Sequence, residues 1–356
     1  MNQLRQLDFS GQQIYAGIDV HKKSWKVCIR NKDMELNTFS PKTSPAELSA
    51  HLKKNYPGAN YKVVYEAGFC GFEYQREFTK LGVDCIVVHP ADVPTTDKEK
   101  QRKSDGVDCR KLSKALSESA IKGIYIPGVE QQDDRSIIRV YDQCVQDQTR
   151  YKNRIKSWLD FHGITIPDDY ENKHWSRRFI IWLKAVPLAT ESARISLDIL
   201  IKGYEDARAH VLMATRQLRA LSRSDRHKLQ IELLRTIPGI GQITALWLVV
   251  EIGDINRFKG LDNLCDYVGL VPKVQSSGEK EHVLGLTHRG NKGLREKLVE
   301  ASWMIIRKDP AMTMAFTDFC KRMEKNKAIV KIARKLLNRV RFVMKNQKQY
   351  QIGQVE

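Results

Sequence analysis

Between residues 14 and 125 short apolar runs alternate with amphipathic stretches. The spacing predicts strands at 14–19, 24–30, 34–39, 61–66 and 83–88, and helices at 45–54, 71–81 and 105–117. From about 129 to 235 the strand signal almost disappears. Segments 129–160, 173–186 and 188–222 carry spaced apolar residues among many charges, the pattern of helices in a bundle or coiled coil. Gly163-Ile164-Thr165-Ile166-Pro167 breaks the first of these from the second. A third region opens near Asp225, with a helix end and glycine turn at 234–241 and an apolar helix at 242–252. A polar, glycine-containing stretch then runs from Lys273 to Asn291, followed by helices at 292–307 and 311–345.

Adjacent strands, then a helix, a strand ending in Glu66, and another helix and strand predict an α/β layer structure with a mixed sheet. That order fits an RNase H-like core. The helical region after it is expected to be a spacer or dimerisation arm. At 356 residues the chain is long enough for two or three domains.

Charge narrows the partners. A net charge of +18 implies a polyanion, and nucleic acid is the commonest one. A membrane surface is the weaker alternative, because the best apolar run, Ile243 to Val250, is short and ends at Glu251. The first residues contain no signal-peptide apolar segment, so a cytoplasmic protein is expected. Seven cysteines scattered without C-x-x-C spacing support neither a disulfide framework nor a structural zinc site.

The candidate chemistry is carried by four acids. Asp19 ends the run Ile14 to Ile18, Glu66 ends Tyr61 to Tyr65, and Asp105 and Asp108 lie three apart on a predicted helix. Carboxylates at strand ends are rigidly held, and two spaced by three on a helix share a face. Such a cluster of like charges needs cations to offset it, and hard oxygen donors suit Mg²⁺. Any one of these acids alone could simply cap a strand or helix. Together, flanked by His21-Lys22-Lys23 and Arg102-Lys103, they suggest phosphodiester chemistry.

Three further features have plainer readings beside the functional ones. Pro238-Gly239-Ile240-Gly241 resembles the turn of a helix-hairpin-helix module, where glycines let the backbone approach a phosphate; the plainer reading is a tight turn between helices. Ser276-Ser277-Gly278 is by itself a flexible loop, since a serine hydroxyl is a weak nucleophile until a base, metal or cation activates it. The last helix carries Lys321, Arg322, Lys325, Lys327, Lys331, Arg334, Lys335, Arg339, Arg341 and Lys345 with few acids, which favours a phosphate backbone over a merely solvated face.

Motifs across nearly the whole chain resemble the bridge-RNA-guided transposases of bacterial insertion sequences. They are Gly17-Ile18-Asp19-Val20-His21-Lys22, Tyr65-Glu66-Ala67-Gly68, Lys103-Ser104-Asp105-Gly106-Val107-Asp108, Ile237-Pro238-Gly239-Ile240-Gly241, Glu251 to Phe258, Tyr267 to Pro272, Ser277-Gly278 and Arg289 to Arg295. The likeness is weakest between about 160 and 225. Where the family usually has Lys-Thr-Asp-Arg-x-Asp-Ala, this chain has Ser104, Gly106 and Cys109. The carboxylates are intact, and the absent arginine removes a candidate phosphate or RNA contact.

The resemblance implies a RuvC-like DEDD domain at 11–126, a helical coiled-coil region at 127–225, and a mostly α transposase domain at 226–350 containing the helix-hairpin-helix-like motif. It implies Mg²⁺ on Asp19, Glu66, Asp105 and Asp108, and Ser277 as the nucleophile that forms a phosphoserine link to DNA. A structured guide RNA pairing with donor and target DNA, and assembly into dimers and a tetramer, are implied in the same way. Contacts to nucleic acid are expected from Lys22, Lys103, Gly239, Gly241, Arg289, Asn291, Lys292, Arg295, Arg334, Lys335 and Arg339. The rivals are a RuvC-like nuclease with water as nucleophile and a non-catalytic nucleic-acid-binding protein. A covalent DNA adduct separates the first from the family reading, and metal-dependent cleavage separates the second.

Overall fold

The computed structural model describes residues 8–94, 105–170, 175–277, 280–287 and 289–353, without the side chains at 105, 273–277 and 280–284. The chain divides after Ile126 into two compact units.

The first unit is built on a five-stranded mixed sheet in the order β3-β2-β1-β4-β5. Its strands are β1 (Gln13–Val20), β2 (Trp25–Arg30), β3 (Glu35–Phe39), β4 (Asn60–Glu66) and β5 (Asp84–Val88). β1 pairs antiparallel with β2, which pairs antiparallel with β3; β1 pairs parallel with β4, and β4 with β5. This order is consistent with the RNase H-like arrangement. Each predicted strand falls within one residue of an observed one.

Alternation explains the layering. Ile14, Ala16 and Ile18 of β1 join Val63 and Tyr65 of β4 in one core with Trp25, Leu48, Leu52 and Phe78. That core is covered by α1 (Pro45–Asn55) and α2 (Glu73–Lys80). Ser44 starts α1 by accepting from the Glu47 amide at 3.3 Å, with proline in the first turn, where its missing N–H costs nothing. On the opposite face Tyr15, Val64 and Val88 pack with Leu112, Ala115 and Leu116 of α3 (Asp105–Ser117). Both faces of β1 and β4 are thus buried, which is why these strands read as nearly unbroken apolar runs.

The second unit contains two long helices, α4 (Val129–Phe161) and α6 (Glu191–Leu221), with the shorter α5 (Arg177–Ala185) between them in sequence. Their far ends share a core of Ile155, Leu159, Phe179, Leu183, Leu197 and Tyr204. Near their other ends, Ile138 and Leu218 enter a larger core with α7 (Lys228–Leu234), α8 (Gln242–Ile252), α9 (Leu261–Val268), α10 (Lys292–Ile305), α11 (Pro310–Cys320) and α12 (Lys325–Asn346). Between α9 and α10 lies an antiparallel hairpin, β6 (Pro272–Ser277) with β7 (Lys280–Leu286).

Three details differ from the sequence expectation. The polar stretch after Lys273 is largely this hairpin, and Ser277 ends a strand rather than lying in a loop. The helix expected over 311–345 is two helices, because the Phe319 carbonyl takes the amides of both Arg322 and Met323 at 3.0 Å and closes a turn. The short helix α9 has no counterpart among the predicted elements. Among the described residues no helix is long and apolar enough to cross a membrane.

Candidate active site and nucleic-acid surface

The acidic site is positioned by strand register. β1 and β4 pair in parallel from Gln13–Asn60 to Ile18–Tyr65, and Asp19 and Glu66 are the next residue on each strand. Neighbouring strands lie about 4.8 Å apart, so the two backbones deliver their carboxylates side by side. Alternation puts both on the face that α3 covers, since Ile18 and Tyr65 face the other core.

Glycine brings α3 down onto that face. A Cβ at Gly17 would lie 2.3 Å from the Cys109 carbonyl oxygen and 2.4 Å from the Ser113 amide. Only a residue without a side chain lets the helix backbone sit directly on β1. Asp108 immediately precedes Cys109 in the first turn of α3, and Asp105 begins the helix. Burial, nearby Cys28 and then the Asp19 carboxylate push the Cys109 thiol up to about 12, so it is a neutral packing group beside the acids.

Asp19, Glu66 and Asp108 are each partly buried. Side chains already meet two of them: His21 Nε2 is 3.2 Å from Asp19 Oδ2, and Lys111 Nζ donates to Asp108 Oδ1 at 3.4 Å. All the expected donors are hard carboxylate oxygens, a set that suits Mg²⁺ rather than a softer metal. Among the described residues no group of three or more His, Cys, Asp or Glu side chains is placed to hold a metal ion. The Asp105 side chain, needed to complete the expected set, lies outside the described atoms, as does Lys103. Lys22 is exposed just past the end of β1.

The serine hairpin stands on a tightly built base. Ser277 pairs with Lys280 at the end of the ladder; Gly278 lies outside the described residues. At the other end two left-handed glycines interlock: a Cβ at Gly269 (φ 81°) would lie 2.5 Å from the Arg289 carbonyl, and one at Gly290 (φ 107°) would lie 2.5 Å from the Gly269 amide. Arg295 donates to the carbonyls of Gly269 and Thr287 at 3.2 and 2.7 Å, tying both legs to α10. Asn291 caps α10, accepting from the Leu294 amide at 3.1 Å. Arg289 and Lys292 are exposed, with Lys292 3.6 Å from Glu296.

A residue to which the sequence assigned no role organises this base. Glu251 is 1% exposed, yet its carboxylate receives Asn291 at 2.9 Å and lies 3.6 Å from Arg135 and 3.3 Å from Arg139, both on α4. Its carbonyl accepts from Tyr267 and Arg135, both at 2.8 Å. A buried carboxylate needs such partners, because leaving it unpaired costs several kcal/mol, about 3–5 for a broken buried pair. Besides opening the motif Glu251 to Phe258, its sequence signal is a lone acid near the end of an otherwise apolar helix.

The turn between α7 and α8 divides its glycines between two jobs. Gly239 (φ 91°) faces protein, since a Cβ there would lie 2.7 Å from the Ala301 carbonyl of α10. Gly241 is exposed with open space around it, at the start of α8, where no side chain caps the free amides.

On α12, Ala328, Ile332, Leu336, Val340 and Val343 face the core while the cations lie off that stripe. Lys331, Arg334, Lys335 and Arg339, with Leu261 and Phe319, line an open cleft of about 480 Å³. Asp262, 3.0 Å from Arg334, offsets only part of that charge. Replacing Arg334, Lys335 and Arg339 together by alanine should weaken nucleic-acid binding at all sequences. It should also flatten the salt dependence, by about 0.9 in log K against log salt for each duplex phosphate that is no longer neutralised. Titrations at several salt concentrations check this, and an unchanged slope would make α12 a structural face.

Comparison with known proteins places this geometry. Residues 16–164 match a family model described as a transposase, that of the DEDD transposases of IS110 elements, and residues 231–317 match the model of the transposase IS116/IS110/IS902 family. The transposase for insertion sequence element IS1111A of Coxiella burnetii (strain RSA 493 / Nine Mile phase I) is 26% identical over 304 residues, 82% of this chain and 79% of that protein. Putative transposase y4rJ of Sinorhizobium fredii (strain NBRC 101917 / NGR234) is 29% identical over 301 residues, 77% of this chain and 74% of that protein. The pilin gene-inverting protein of Moraxella bovis is 38% identical over 113 residues, 30% of this chain and 34% of that protein. The protein is therefore a transposase, an enzyme that recombines DNA. Within that class, the chain belongs to the IS110/IS116/IS902 family of insertion-sequence transposases.

Proposed function

We propose that the protein is an RNA-guided recombinase that moves an insertion sequence by Mg²⁺-dependent strand cleavage and exchange through a phosphoserine–DNA intermediate. The observation that carries this reading is the pairing of β1 with β4, which puts Asp19 and Glu66 one residue past its last pair, on the face against which Gly17 seats α3 with Asp108 in its first turn.

Asp19, Glu66, Asp105 and Asp108 would hold Mg²⁺, which when bound supplies Lewis-acid polarisation of the scissile phosphate. Ser277 Oγ, losing its proton, attacks phosphorus; the P–O3′ bond breaks, and the departing 3′ oxygen takes up a proton. The products are a 5′-phosphoserine link and a free 3′-hydroxyl. A 3′-hydroxyl from the partner strand then attacks that phosphorus, and Ser277 leaves and regains its proton. Phosphodiester bonds are conserved in number, so no ATP is required.

The surrounding residues take the remaining parts. Lys22, Lys103, Arg289, Lys292, the amides after Gly241, and the Arg334–Lys335–Arg339 cleft contact DNA and guide RNA phosphates. Gly239, Asn291 and Arg295 contribute by holding the frame that presents them. The domain assignment follows the same reading: a RuvC-like DEDD domain at 11–126, a coiled-coil arm at 127–225 and a serine domain at 226–350. Assembly of copies into dimers and a synaptic tetramer rests on the motif resemblance. The strongly basic chain supports a nucleic-acid partner; the guide RNA and a cytoplasmic location rest on the motif resemblance.

The test is a denaturing gel of the protein incubated with end-labelled element DNA, copurified RNA and Mg²⁺. A labelled protein–DNA band that requires the metal is expected. Metal-dependent cleavage with no such band at any time would favour the water-nucleophile nuclease, and no cleavage at all would favour a binding protein.

A further inference from the structure

We propose that Phe69 is a base-stacking residue beside the acidic site, holding an unpaired nucleobase next to the scissile phosphate. The proposal rests on the active-site reading above and adds a positioning residue to it.

Phe69 follows Glu66 by three residues and is 60% exposed. Scattered surface apolar residues are ordinary, but this one is held outward by its neighbours. The Gly71 amide donates to the Gly68 carbonyl at 3.2 Å, closing a tight turn with Phe69 and Cys70 at its centre. Cys70 and Phe72 pack against the sheet core, and burial pushes the Cys70 thiol up. The fully buried Tyr65 anchors the turn from below, its hydroxyl donating to the Gly71 carbonyl at 3.1 Å and accepting from the Gln75 amide at 3.2 Å. The Ala67 amide donates to the Val88 carbonyl at 2.8 Å, fixing the other end.

The result is a rigid loop that places a large aromatic in solvent within three residues of a candidate ligand. Beside a site that takes the scissile phosphate of nucleic acid, a ring of that kind fits a nucleobase. Every base offers a π-face, so stacking tolerates sequence and adds affinity without a phosphate contact. It also suits strand exchange, in which bases at the crossover must leave their own duplex.

Three variants test this, with binding measured in EDTA so that cleavage plays no part. Phe69→Ala should weaken binding of element DNA with its RNA by roughly 5- to 150-fold, the range for removing one stacked base. Its salt slope should be that of the wild type. Phe69→Trp should restore affinity and Phe69→Leu should not. With 5-iodouracil placed in turn at positions around the cleavage site, irradiation of the wild type should crosslink Phe69, as identified by peptide mapping.

Equal affinity of Phe69→Ala and wild type, failure of Phe69→Trp to restore it, or crosslinks elsewhere only would overturn the proposal. A change in sedimentation of Phe69→Ala would do so too, by making Phe69 a contact between copies. A wild type that crosslinks at Phe69 yet forms no serine adduct would keep this inference and sink the catalytic one.

Discussion

Asp108→Asn is expected to lower strand cleavage by at least about a hundred-fold while leaving DNA and RNA binding intact, and Asp105→Asn should behave likewise. The amide keeps the shape of the side chain but removes the charge that a hard divalent cation requires. Outer-shell partners of a metal are worth about 10–100-fold, so a direct ligand should exceed that range. Asp108 also receives Lys111 at 3.4 Å, an ion pair only partly exposed. Because Lys111 is largely buried, the thermal melt separates any stability cost of losing this pair from the loss of a metal ligand. Gly17→Ala makes the complementary case. The new methyl would press on the backbone of Cys109 and Ser113, which cannot rotate away, so overpacking should cost about 1–3 kcal/mol. By lifting α3 it should lower cleavage even though every carboxylate is present. Cleavage assays with thermal melts read both effects. Full activity of Asp108→Asn in Mg²⁺ would refute the metal assignment.

The sheet and the acidic site are legible in the sequence because their signals are local. β1 and β4 are buried on both faces, so their apolar runs stand out, and an acid closing each run is conspicuous. The strand that ends in Ser277 is not legible in this way: Lys273 to Ser277 lacks any apolar alternation beyond Val274, so a strand looks like a polar loop. The break between α11 and α12 is hidden because neither glycine nor proline marks it.

Long-range packing is least legible. Gly239 looks like a phosphate-approach glycine, yet its lack of a side chain is required by the Ala301 carbonyl. Gly269 and Gly290 belong to motifs separated by the whole hairpin, and only the fold shows that Gly269 must clear the Arg289 carbonyl and Gly290 the backbone of Gly269. Glu251 joins Arg135, Arg139 and Asn291 over more than a hundred residues in one direction and forty in the other. A buried carboxylate of that kind announces itself only through its oddity in an apolar helix.

Ser277→Ala is expected to abolish the covalent adduct and all recombination while the acidic site and nucleic-acid binding remain unchanged. The argument turns on where the strand ends. Ser277 pairs with Lys280, one register step nearer the turn than Ser276 with Glu281, so it is the last strand residue before the tip. A tip residue can enter a groove that the hairpin legs cannot, and the glycine after it lets the backbone approach DNA closely. The base of the hairpin is fixed by Gly269, Gly290, Arg295 and Asn291, so a change at the tip should leave the fold intact. Ser276→Ala should therefore retain both adduct and recombination. Without the Ser277 oxygen no link can form at that position, so, if Ser277 is the nucleophile, the adduct should fall below detection rather than merely slow. The readout is the labelled adduct on a denaturing gel, followed by peptide mapping of the linked residue. An adduct that persists in Ser277→Ala, or maps to Ser276, would remove Ser277 from the chemistry.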